Sequence, residues 1–420
     1  MSTAVLSGRR RLSVGEVEMI IQAHERLLSG RPGGRRASLK FVDLTGFDLS
    51  GRNLSEADLS GSVLDGAKLV ATNLERTNLF GCDMRNCDLR GAKLARADMR
   101  GVCLRGANLT QADLTQADFR VGQLAIPHPS KGLASLIHED REGQMDHAVL
   151  AGANLDGLRM NDATAFSADF SDCTLRGAKM TGANFKDANM SGAILDGADI
   201  GGAILEGTNL SYAAMSGVDV GRARTTSGAN MIGVVSAPSA SAIARAPDLL
   251  ALARENDAWV RTGGKQGKPA NFDGEDMRPL GAGLAGLKLT AMSAKGANMM
   301  GLDLLGCHLQ GANLEGADLR GARLRDTDLR GARLVKANLT KADLVQADLS
   351  PLPLGARETP ACLEKANLRY VVAQKGDLTC SVLDGADLRG CDLRGAKLAG
   401  ASLRDVDYAT ALGFEAALAA

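Results

Sequence analysis

From Leu39 onward every fifth residue is Leu, Met or Phe, without a gap through Phe119 to Leu124, eighteen positions in a row. Two residues before most of them stands something small, as at Ala57, Ala67, Thr72, Thr77, Cys82, Cys87, Ala92, Ala97, Ala107, Ala112 and Ala117. The position between is usually Asp, Asn, Lys or Arg. A period of five fits neither the 3.6 of a helix nor the 2 of a strand. A helix would smear the large residues around its whole circumference. Strict fives instead predict that each unit turns a corner and that four units return the chain to its starting point. One circuit then takes 20 residues, and circuits stack at the β-sheet spacing of about 4.8 Å. The large residue and the small one before it face inward; the other three face water.

Residues one circuit apart become vertical neighbours, so outward charges should avoid like pairs. The columns Asp48, Lys68, Asp88, Asn108 and Asn53, Asn73, Lys93, Asp113 obey this, as does Asp303, Arg323, Asp343; Asp98 beneath Asp118 does not. Expected inward residues include Leu54, Leu74, Leu94, Leu114, Phe119, Leu155, Phe185, Leu314, Leu334 and Leu388. Strings such as Ala107-Asn108-Leu109 followed by Thr110-Gln111-Ala112-Asp113-Leu114 carry the pattern A-(D/N)-L-x-x. On these residues the chain resembles the pentapeptide-repeat family over about three-quarters of its length. The resemblance implies an all-β solenoid, a right-handed quadrilateral β-helix, here in two tandem stretches with short helical caps. A leucine-rich horseshoe would need a unit of roughly 20–29 residues with fixed internal asymmetry, which the chain lacks.

Interruptions set the expected boundaries. The first stretch covers 37–225. Its insert at 125–144 holds Pro127, Pro129 and the charged run His138 to Glu142, and reads as a loop projecting from one corner. Repeats resume at Met145, one residue out of phase, with Ala165 a weak member. Residues 226–269 read as a linker plus a helix near 247–261, with Pro247 in its first turn and Trp259 the only Trp. The second stretch is 270–410, regular from Leu284 to Leu354 and briefly broken at 355–362; 411–420 is a tail. Residues 1–36 read as a basic arm and a helical cap, opened by the capping-box pair Ser13 and Glu16. The segments Leu27–Leu39 and Val260–Phe272 align without gaps at an offset of 233. Each stretch therefore appears as a duplicated module with its own lid, because an open end exposes an unpaired sheet edge. The far end calls for a small helix across it or for a homodimer paired through the C-terminal end.

Composition sharpens the picture. Aromatics are 3% of 420 residues and Gly numbers 50, so a core of large side chains is excluded and a narrow layered one is required. Acidic and basic residues number 49 each; residues 1–36 carry a net +4 and 145–225 a net −4. No segment approaches the ~20 apolar residues of a membrane span, and no secretory signal precedes the repeats, so a cytoplasmic location is the default. Eight scattered Cys fit a reducing compartment. Cys82, Cys87, Cys173, Cys307 and Cys391 fall at the small inward position as apolar fillers, and no C-x-x-C pair supports zinc.

The insert residues His128, His138, Glu139, Asp140, Arg141 and Glu142 form the candidate partner-contact loop. Imidazole and carboxylate together can bind metal, but no helical pair of His fixes such a geometry here. Gly281-Ala282-Gly283 lacks the strand-to-helix setting of a phosphate loop, and no nucleophile elbow is present. No catalytic residue, cofactor, metal or small-molecule substrate is expected, and nucleic acid is disfavoured because surface aromatics are missing. The expectation is a non-enzymatic binding or scaffold protein presenting rigid walls to another protein. The family resemblance adds an alternative, a DNA-mimic modulator of a type II topoisomerase (DNA gyrase). That mimicry needs an acidic rod, whereas residues 37–124 hold 11 acidic and 11 basic groups.

Overall fold

Backbone hydrogen bonds make the five-residue unit a corner. In the computed structural model, Leu64 donates its N–H to the carbonyl of Asp83 (2.7 Å), and Gly66 donates to Arg85 (2.8 Å). Ala67 N–H then returns to Leu64 O at 2.8 Å, closing a four-residue turn whose third residue, Gly66, has φ +65°. That left-handed step is what favours Gly at every fifth position. Lys68 N–H reaches the other way, to Phe47 O. Each unit is therefore tied to the unit one layer ahead and one layer behind. Parallel bridges link residues 20 apart in four interleaved series, such as Ser38↔Asp58, Asp43↔Val63, Asp48↔Lys68 and Asn53↔Asn73.

The structure describes residues 9–128, 132–355 and 357–420; the side chains of 124–139 lie outside it. The chain forms two compact units, Met1–Ala237 and Pro238–Ala420, each with its own buried cluster.

The first unit opens with β1 (Arg10–Arg11), α1 (Val14–Leu28) and β2 (Val42–Asp43), β1 and β2 pairing in parallel. Ser13 accepts the Glu16 N–H and the Glu16 carboxylate takes the Ser13 N–H, a capping box. Val17 and Ile21 on α1 join the buried cluster of the layers. At Phe119 the ladder pauses and β3 (Gly122–His128) runs antiparallel to β4 (Gly132–Arg141). The insert is thus a β-hairpin and begins before 125. Leu124, which fits the count of fives, belongs to β3 opposite Glu139. Bridging resumes at Cys103↔Gln144, so the detour spans 21 residues beyond one layer, and a remainder of one after division by five produces the shifted phase. Ala165 is fully buried, one layer before Phe185 in the same column.

Bridges also continue past 225, through Ile204↔Thr225, Asn209↔Asn230 and Ala214↔Val235. A short turn at Val220–Arg222 inserts one residue, and Thr226 and Ser236 then stand where Leu205 and Met215 stand one layer earlier. Those polar replacements hide the last layer from a search for Leu.

The second unit opens with α2, Ala240–Arg261, capped by Ser239. It starts well before 247 and carries Pro247 inside, not in the first turn; the Ala-rich start has no period to betray it. Leu249 and Ala253 of α2 enter this unit's buried cluster. Layers run from Asn271↔Ser293 to Asp392↔Leu412, interrupted by a second hairpin, β5 (Leu352–Leu354) with β6 (Arg357–Thr359). Leu354 is therefore not an inward residue: it is 59% exposed in β5. The end carries α3 (Phe414–Leu418), which buries Phe414 and Ala417, with Phe414 stacked on Tyr408 at 4.1 Å.

The two leading helices sit alike. His24 of α1 accepts the Ala37 N–H and meets Ser55 O; Asn256 of α2 accepts the Ala270 N–H and donates to Thr290 O. Val17, Ile21 and His24 thus match Leu249, Ala253 and Asn256 at an offset of 232, while Ala37 matches Ala270 at 233. One extra residue in the last turn of α2 takes up the difference.

Leu54, Leu74, Leu94, Leu114, Phe119, Leu155, Phe185, Leu314, Leu334 and Leu388 are all buried. The small inward position has a role beyond filling space. Ser62, Thr72, Thr77, Cys82, Cys87, Cys173, Thr208, Cys307, Thr327 and Cys391 each donate to the carbonyl of the residue 23 positions earlier, a large inward residue of the layer behind. No helix among the described residues is long and apolar enough to cross a membrane.

Candidate partner-binding surface

The hairpin register separates the residues of the expected contact loop. His128 lies opposite Gly132 and His138 opposite Ala125. Those rungs are three residues apart along β3 and six along β4, with a shift of register between Pro127 and His128. Glu139, Asp140 and Arg141 pair with Leu124, Gln123 and Gly122. The side chains of His128, His138 and Glu139 lie outside the described residues; Asp140 and Glu142 are exposed. His147 stands apart on the layers, edge-on to Phe166 at 5.4 Å. Among the described residues no group of three or more His, Cys, Asp or Glu could hold a metal ion.

Beside the foot of the hairpin the wall has a surface hollow, lined by Arg100, Arg120, Val121, Arg159, Asn161, Asp162, Lys179 and Thr181. Asp118 anchors it. Its carboxylate takes Arg120 at 2.8 Å and Arg159 at 2.7 Å, both on Oδ2. Burial pushes that carboxyl up, but the hydrogen bonds and charges of the two guanidiniums outweigh it and hold it below the ordinary carboxylate range. Asp98 holds Arg100 the same way at 2.7 Å, and that guanidinium also lies over the Phe80 ring at 5.4 Å. The hollow is therefore rich in positioned donors on a wall whose backbone is bonded layer to layer.

Asp118 with Arg120 is one instance of a device the reading by fives misses. Asp83–Arg85, Asp88–Arg90, Asp98–Arg100, Asp118–Arg120, Asp276–Arg278, Asp318–Arg320, Asp328–Arg330, Asp387–Arg389 and Asp392–Arg394 are all doubly hydrogen-bonded pairs straddling one inward residue. Two strand-like positions on either side of an inward Leu face the same way, so Asp-x-Arg in the sequence was the signal. The pairs also resolve like-charged columns. Arg330 reaches both Asp328 (2.7 Å) and Asp348 (3.6 Å), and Arg389 reaches both Asp387 (2.6 Å) and Asp407 (3.2 Å). Asp98 and Asp118, the exception in the charge columns, are neutralised by Arg100, Arg120 and Arg159.

A family model described as pentapeptide repeats matches eight stretches: residues 35–69, 72–111, 82–120, 144–182, 183–222, 284–321, 312–350 and 361–405. Solved structures similar to this chain include full-length QnrB1, a plasmid-mediated fluoroquinolone resistance protein. It is 17% identical over 46% of this chain and 91% of its own, with a TM-score of 0.20. HetL, a pentapeptide repeat protein involved in heterocyst differentiation regulation in the cyanobacterium Nostoc sp. PCC 7120, is 20% identical over 95% of this chain and 96% of its own, at 0.15. The pentapeptide repeat protein alr5209 from Nostoc PCC 7120 is 35% identical over 27% of this chain and 84% of its own, at 0.21. No curated protein matches the chain.

Proposed function

Because the chain belongs to the pentapeptide-repeat family, we propose that it is a non-enzymatic binding or scaffold protein of the cytoplasm. In this reading two right-handed, four-sided β-helices, with α1 and α2 as their lids, present stiff walls to another protein. The observation that carries it is the set of doubly bonded Asp-x-Arg pairs, two of which, with Arg100 and Arg120, border the hollow that Arg159 and Lys179 also line. Side chains already locked to their neighbours lose little entropy when a partner docks, so a flat wall can bind without a deep pocket.

The alternative, a DNA mimic acting on DNA gyrase, draws support from the net −4 of residues 145–225. Against it, nine wall carboxylates each carry their own guanidinium. A phosphate-like array needs them bare.

The test is affinity capture from the native cell with the full chain and with the Arg100→Glu, Arg159→Glu, Lys179→Glu variant, followed by binding of the captured protein to both purified chains. One partner bound directly by the wild type and at least about tenfold more weakly by the variant supports the reading. Equal binding by both chains removes the hollow from it. Inhibition of gyrase supercoiling at micromolar protein replaces the reading with the mimic. A second copy of this chain as the captured partner would point to the C-terminal pairing instead.

A further inference from the structure

The two units use the same seat for their leading helices but different chemistry in it. His24 is 1% exposed and its ring spans two pieces of backbone. Nδ1 lies 3.2 Å from the N–H of Ala37 and Nε2 lies 2.9 Å from the carbonyl of Ser55. An N–H can only donate, so Nδ1 must be a bare lone pair. A carbonyl can only accept, so Nε2 must carry the hydrogen. The seated ring is therefore neutral. A second proton on Nδ1 would set N–H against N–H in a place closed to water, and one of the two would lose its partner. Asn256, fully buried in the second unit, performs the same bridging with an amide: Oδ1 accepts Ala270 N–H at 2.9 Å and Nδ2 donates to Thr290 O at 3.1 Å. An amide does not titrate.

Among the described residues, the carboxylates around the ring are already engaged with other partners. Glu25, next on α1, is bound to Arg52 and takes the Asn53 N–H, and Glu18 shares the same Arg52. From the loop, Arg36 donates to the Glu56 carbonyl; from the layers, the Glu56 carboxylate faces Arg76 and Asp58 holds Lys40. Around Asn256, Asp257 takes the Lys288 N–H and pairs with Arg261.

We propose that α1 is a proton-operated latch: seated on the first unit while His24 is neutral and released when the imidazole takes up a proton, with α2 remaining seated over the same range. Release would uncover the part of the first layer's edge that β1 does not pair, which is then able to pair with another strand. The inference is independent of which partner the walls bind.

The sign follows from linkage. The seated state accepts only the neutral ring, so opening takes up a proton and becomes easier as pH falls. With an ordinary imidazole in the open state, the opening constant should rise about tenfold between pH 7.5 and 5.5. Hydrogen exchange of the full chain, corrected for the intrinsic effect of pH, measures this on peptides covering 14–37 and 240–270. The first should open about tenfold more at the lower pH, the second less than about twofold. His24→Asn should flatten the first response, and Asn256→His should confer it on the second unit. Equal responses of the two wild-type peptides, or a tenfold response that survives in His24→Asn, overturn the latch. Should His24→Asn leave α1 unseated at both pH values, Asn256→His decides, and a flat response there overturns it equally.

Discussion

A cysteine at the small inward position is a hydrogen-bond donor before it is anything else. Cys82 and Cys87 give their S–H groups to Leu59 O and Leu64 O, at 3.0 and 2.9 Å. Thr77 gives its hydroxyl to Leu54 O in the same way, and Ser62 to Leu39 O. Ser, Thr and Cys are thus interchangeable with Ala there for two reasons, volume and an available carbonyl. Burial pushes the Cys82 and Cys87 thiols up to about 12 and the Cys307 thiol up to about 11. These thiols are therefore protonated at any ordinary pH and closed to reagents. Cys380, by contrast, is exposed. A thiol-alkylating reagent at pH 8, followed by peptide mass spectrometry, should label Cys380 first and leave Cys82, Cys87, Cys307 and Cys391 untouched until denaturant is added. Rapid labelling of Cys87 in the native protein would show that its layer opens locally.

At the scale of elements, the hairpins test what the repeat tolerates. Bridges jump from Arg333 to Cys362, nine residues more than one layer, and β5–β6 uses up the excess. Excising 351–359 alone would put Pro360 at the third place of the Leu349 turn. That place is left-handed elsewhere, at φ +59° for Gln346 and +67° for Gly331, and proline is locked near −65°. The excision combined with Pro360→Gly should fold with a thermal midpoint close to wild type, since a loop of this size changes stability by less than about 1 kcal/mol. A fall of more than about 10 °C by circular dichroism would mean that β5–β6 braces the layers. Leu352 against Gly331 is the contact that could do so.

The same hairpins mark the limit of what the sequence made legible. Inward residues were readable because one side-chain class recurs at one spacing, and all ten named residues from Leu54 to Leu388 are buried. Leu124 and Leu354 satisfy that spacing by coincidence while lying in strands, where the period is two and too short-lived to register among prolines. The hollow was unreadable for another reason. Its lining joins Arg100 and Arg120 to Arg159 and Lys179 across a detour of 21 residues, so the column could be assembled only once the bridges were known.

For the whole molecule, stability should be a sum over layers within each unit and not over the chain. A layered protein contacts mainly its nearest layers, so damage spreads along a stack until the stack ends. Here the buried residues form two clusters with no member in common, one from Leu12 to Met215 and one from Leu249 to Ala417. Leu89 is fully buried in the middle of the first. Leu89→Asp removes a side chain worth about 1.5–3 kcal/mol of burial and places a carboxylate where no cation can reach. The layers on either side should fail with it. Trp259, the only Trp in the chain, stands on α2 and so reports on the second unit alone. Two signals from one sample then separate the units. In Leu89→Asp the far-ultraviolet circular dichroism of the layers should fall by about half, while the denaturant midpoint followed by Trp259 fluorescence stays at its wild-type value. A Trp259 midpoint that drops together with the dichroism would mean that the two stacks fold as one body.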